Sequence, residues 1–178
     1  VTSIQTLSEP ERRAVARWAA ACAEHVLPLF EADQQAEELI RDAVARAHAF
    51  ARGESTAAAE IKLRMVAVKA AGAATTQAGA AAARSAGQAA AVAHMGAHAL
   101  GAAAYAVKAA ALANPQRPDS AEEEVAWQLS QLSAAEREAL RLLPELGSTS
   151  GPLGPGLLAQ GILGDTIRHI QATIMGER

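Results

Sequence analysis

The chain has 178 residues with a net charge of −3, its 16 Lys and Arg interleaved with 19 Asp and Glu. That scatter excludes the basic stripe through which proteins displace counterions from nucleic acid, so no nucleic-acid partner is expected. Hydrophobic residues make up 51% but aromatics only 3%, so a single domain must build its core from closely packed Ala, Leu, Val and Ile.

The first residues contain acids and no apolar run, so no secretory leader is expected. Ser8 and Glu11 form a capping box, with Pro10 in the first turn, and open a helix over about 9–25 that Pro28 ends. Cys22 within it is alone, which leaves no disulfide framework or cysteine-rich zinc site and suits a cytoplasmic protein. A second helix covers about 37–52 and stops at Gly53.

Two long Ala-rich helices follow, over about 57–83 and 87–113, ended by "NPQRPD". Residues 85–107 hold no Asp, Glu, Lys or Arg and are long enough to cross a bilayer. Alanine inserts weakly, however, and Gln88, His94 and His98 interrupt the stretch, so no membrane span is expected. Ser120 with Glu123 and Ser133 with Glu136 read as capping boxes for short helices over about 121–131 and 134–143. "PELGSTSGPLGPG" is a Gly/Pro/Ser-rich loop. A last helix over about 157–174 lines up Leu158, Ile162, Leu163, Ile167, Ile170 and Ile174, to dock on the bundle or on a second chain.

No segment alternates apolar and polar residues as a strand would. The expected fold is all-α, a single-domain bundle of about six or seven helices with two long Ala-rich central ones. Residues 1–144 form the bundle, 145–156 the loop, and 157–178 the C-terminal helix.

In one continuous helix, His94, His98, Gly101 and Tyr105 would stand at i, i+4, i+7 and i+11, on one face. The stripe is compatible with a polar network inside the core, with the lining of a binding pocket, or with two corners of a metal site. A third metal ligand would have to be His48, His25, Cys22 or a carboxylate. Met95 stands where a zinc protease has its glutamate, which excludes that reading. Arg84, in an uncharged neighbourhood, must pair with an acid or reach solvent at a helix junction, pairing being the expectation. Trp18 and Trp127 read as core anchors, and Arg41, Arg46, Lys62, Arg64 and Lys69 as solvated faces. With no phosphate loop, nucleophile elbow or calcium loop, no catalytic residue is nominated and no cofactor or metal is expected.

The stretches "RWAAACAEHVLPLFE", "RDAVARAHAFARGE" and "AARSAGQAAAVAHMGAHALGAAAYAVKAA" resemble an actinobacterial group of small Ala-rich proteins labelled as immunity proteins, similar to the fifth immunity class of polymorphic toxin systems. The resemblance covers most of residues 12–115. It departs at "EELIRDAV", where the group usually has an Asp-x-Arg-Pro-Arg run and only Arg41 matches. It implies an all-α, non-catalytic protein that binds and neutralises a toxin. The binding residues it brings over are Trp18, Arg41, Arg84, His94, His98 and Tyr105. Two other readings stand beside it: a small-molecule or metal binder using His94, His98 and Tyr105, and a structural homodimer zipped through the Ala/Gly faces or the last helix.

Overall fold

The computed structural model describes residues 2–177 without the Arg64 side chain. Among the described residues there are eight α-helices and no strands: α1 (Glu9–Val26), α2 (Gln34–Ala51), α3 (Ala57–Ala71), α4 (Gln77–Ala91), α5 (His98–Ala113), α6 (Ser120–Ser130), α7 (Ala134–Arg141) and α8 (Gly161–Gly176). No helix among them is long and apolar enough to cross a membrane.

Local chemistry sets most helix starts. Ser8 and Ser133 form full capping boxes with Glu11 and Glu136, while Asp33, Thr56 and Thr76 cap α2, α3 and α4 through their side-chain oxygens. The box expected at Ser120 does not form. Asp119 already has helical backbone angles at the boundary, so Ser120 is the first helical residue, and Glu123 pairs with Arg117 instead.

The two long Ala-rich helices expected over 57–83 and 87–113 are three helices, broken elsewhere. Gly72 to Thr76 separate α3 from α4, with the Thr75 amide and hydroxyl both donating to the Glu31 carbonyl oxygen, at 3.0 and 3.1 Å. The helix runs straight through 84–86, where a junction was expected, and the Ser85 hydroxyl donates to the Ala102 carbonyl at 2.7 Å. The second break, residues 92–97, has a tertiary cause. The amides of Gly96 and Ala97 donate to the carbonyls of Thr6 and Gln5, each at 3.0 Å, rather than into a helix.

Helices α1, α4 and α5 pack mutually into the centre, α2 and α3 cover one side, and α6, α7 and α8 the other. Every residue of α5 from Ala99 to Val107 is buried, which is why this helix has no polar face. Its alanines let α4 approach closely, so contact is made by many small side chains rather than a few large ones. Trp18 is fully buried, its indole N–H donating to the Gln128 carbonyl at 2.8 Å and tying α1 to α6. Trp127, expected in the core, is half-buried and stacks on His25. Helix α8 buries Leu163, Ile167, Ile170 and Ile174 against its own chain, chiefly on α5.

The buried Gln5 gathers three segments. Its amide nitrogen donates to Thr149 Oγ1 at 2.9 Å and to the Ser150 carbonyl, its amide oxygen accepts from Leu153 N at 3.0 Å, and its backbone carbonyl holds Ala97. The N-terminal strap, the Gly/Pro-rich loop and the α4–α5 turn are therefore one hydrogen-bonded unit.

Candidate functional site

The α4–α5 turn carries His94, and the residue that resumes the helix is His98. The four stripe residues thus do not share one helix, yet His98, Gly101 and Tyr105 keep a common face because they lie at i, i+3 and i+7 of α5. Facing them across a cavity of about 580 Å³ are Arg84 and Gln88 of α4 and Met65 and Val68 of α3. Arg84, His94, His98 and Tyr105 all line this cavity.

Each polar group there stands in a different state. His98 Nδ1 lies 2.9 Å from Gln88 Oε1, and since a carbonyl oxygen only accepts, the ring nitrogen donates and Nε2 keeps its lone pair. Burial, helped by the charge of neighbouring His94, pulls the His98 pKa from 6.5 down to about 4, so the ring is neutral near pH 7. Tyr105 is only 3% exposed, and its hydroxyl has no hydrogen-bond partner among the described residues. His94 and Arg84 are exposed, and Arg84 makes no ion pair among the described residues, contrary to the pairing expected for it. Buried Tyr105 forms the floor, and exposed Arg84 and His94 form the rim.

Gly101 makes the Gln88–His98 contact possible. A Cβ at position 101 would stand 2.3 Å from Gln88 Oε1. Gly101→Ala should therefore swing the amide aside and part it from His98, breaking that hydrogen bond. The His98 ring signals in NMR spectra of the two proteins check this, and unchanged signals would refute it.

The other expected site residues lie elsewhere. Trp18 is the α1–α6 anchor, and Arg41 sits on the exposed side of α2, 3.3 Å from Glu37. Arg46, read as solvated, is largely buried and joins Asp42 at 2.7 Å and the buried Glu60 at 3.2 Å, linking α2 to α3. Lys62 and Lys69 are exposed, whereas the Arg64 side chain lies outside the described residues.

Nor do the other metal-ligand candidates gather at the stripe. His48 pairs with Glu24 at 2.8 Å and His25 with Glu124 at 2.9 Å. Cys22 is fully buried in α1, its thiol pKa pushed well up by burial. Among the described residues, no three His, Cys, Asp or Glu side chains come together to hold a metal ion.

Sequence reasoning missed Gln88, Met65 and Val68. Gln88 was the legible one, the lone amide in the uncharged stretch 85–107; the other two become lining only through the α3–α4 turn. A second cavity, of about 420 Å³, lies between α7 and α8, but its Arg141 is engaged with the Ile174 carbonyl at 2.9 and 3.1 Å.

A family model described as Imm-5 like putative immunity protein matches residues 5–135, about three quarters of the chain. No curated protein and no solved structure matches it.

Proposed function

Because the chain belongs to the Imm-5-like family of immunity proteins, we propose that it is a non-catalytic interaction protein that neutralises a cognate toxin by binding it. The family match carries this reading: it takes in α1 through α6 and the start of α7, the greater part of the bundle. The surface offers support, since α3 exposes Met65 and Val68, which at i and i+3 share one face. An immunity protein works by covering its target, which needs a stable surface and no reacting groups of its own.

The test is retention of the tagged protein's partner from host lysate, followed by expression of that partner alone and together with this chain. One protein held at one-to-one stoichiometry, toxic alone and tolerated in co-expression, is the expected result. A retained partner without toxicity, or none at all, would overturn the reading. Light scattering on the purified chain separates it from the homodimer, in which the α3 patch would be covered by a second copy.

A further inference from the structure

The cavity between α3, α4 and α5 has a chemistry that toxin binding does not explain. Its volume of about 580 Å³ lies inside the range of small-molecule sites, roughly 300–1,000 Å³. No carboxylate of the described residues lines it, although acids outnumber bases in the chain. Arg84 brings to the rim a guanidinium with no ion-pair partner among the described residues, and Tyr105, its ring buried, lines the floor. Its hydroxyl is reached by solvent rather than sealed in the core, so a ligand entering the cavity can take the place of water on it. Between rim and floor the wall is mostly apolar, formed by Met65, Val68, Ala71, Ala83 and Ala91.

We propose that this cavity binds a small organic acid, its carboxylate on Arg84 and His94 at the rim, its apolar body against Met65 and Val68. A polar atom at the far end of the ligand reaches the Tyr105 hydroxyl. One fixed positive charge at the rim matches a monoanion better than a phosphate dianion, and a planar guanidinium suits a carboxylate's two oxygens. His98, locked by Gln88, holds its Nε2 as an acceptor for a donor on the ligand. The inference stands on the cavity; it shares Met65 and Val68 with the surface offered for toxin binding, and that reading, carried by the family match, survives its failure.

Two probes decide it, 4-hydroxyphenylacetate and octanoate, each titrated by calorimetry into the full chain at low millimolar concentration. 4-Hydroxyphenylacetamide serves as the uncharged counterpart and inorganic phosphate as the anion without an apolar body. At least one acid is expected to bind, with the amide and Arg84→Gln each about tenfold weaker, the worth of one charged hydrogen bond. Tyr105→Phe should weaken the hydroxylated probe and leave octanoate unchanged.

Gly87 supplies a position from which a side chain can be sent into the cavity. A Cβ there meets only Ala67 at 3.8 Å and Val68 at 4.0 Å, ordinary contacts, and the position lines the cavity. Gly87→Leu, once circular dichroism shows it folded, should abolish binding. The proposal is overturned if neither acid binds wild type, if acid and amide bind equally, or if folded Gly87→Leu binds as wild type does. Phosphate binding as tightly as the acids would assign the rim to inorganic anions and overturn it as well.

Discussion

Arg17→Ala should lose about 3 kcal/mol of stability, because it leaves the Glu136 carboxylate buried beside an empty place. Glu136 is 2% exposed, and the Arg17 guanidinium meets both of its oxygens, one at 2.6 Å, while also donating to the Gln131 carbonyl at 2.7 Å. One side chain of α1 therefore fixes the first turn of α7 and the corner leading into it. The mutual hydrogen bond holds the arginine's pKa above its ordinary value. Arg17 itself is half exposed, so water can enter when it is removed, which places the cost at the lower end of about 3–5 kcal/mol for a broken buried pair. For a chain of this size the midpoint of thermal unfolding should fall by roughly 6–12 °C. In the Arg17→Ala/Glu136→Gln double variant much of that loss should be recovered, since no buried charge is then stranded. A loss under about 1 kcal/mol in the single variant, measured in urea, would show that α7 is held by packing alone.

Acidification should destabilise the protein through His98 before most carboxylates titrate. The folded-state pKa of about 4 lies below the unfolded value of 6.5, so between these pH values the unfolded chain binds more protons. His98's contribution is thus flat above about pH 7, falls as pH drops through 6.5, and levels off below 4. The full loss is about 3 kcal/mol, at about 1.4 kcal/mol for each tenfold change in proton affinity. His98→Asn retains an amide N–H near the Nδ1 position and cannot titrate. Urea titrations of wild type and variant at pH 7.5 and pH 4.5 isolate the effect from other groups. Whatever lead wild type holds at the higher pH should shrink by about 2 kcal/mol at the lower one. A lead that does not change with pH would mean that His98 is protonated as readily in the folded protein as in the unfolded chain.

Helix starts were legible wherever one side chain could do the work. Ser8, Ser133 and their glutamates announce α1 and α7 from sequence alone. Ser120 shows the limit of that reasoning, because the same pattern is present and the backbone enters the helix a residue earlier. The turn between α3 and α4 was written as Gly72, Thr75 and Thr76 inside an alanine run whose helix propensity overrides such signals on paper. The turn at 92–97 could not have been read locally, since its cause lies about ninety residues away in the carbonyls of Gln5 and Thr6.

The same break decides how the stripe should be understood. A continuous helix aligned His94, His98 and Tyr105 by arithmetic; the folded chain brings them to one cavity through a turn instead, and adds Arg84 from the neighbouring helix. Trp18 and Arg41 came in with the family pattern and are accounted for by packing and by a surface pair. Gln88 and Gly101 were each visible as letters, but their meeting depends on how closely two helices approach, which periodicity does not encode.

Gln5 joins the beginning of the family-matched segment to residues that lie beyond its end, namely Thr149, Ser150 and Leu153. A fragment trimmed to 5–135 would strand that buried amide and uncover the face of α5 on which α8 lies. The unit of kinship and the unit of cooperative folding are thus different lengths of chain. The added tail is a structural element on which the turn beside the cavity depends, and excising it would undo the latch that shapes that turn.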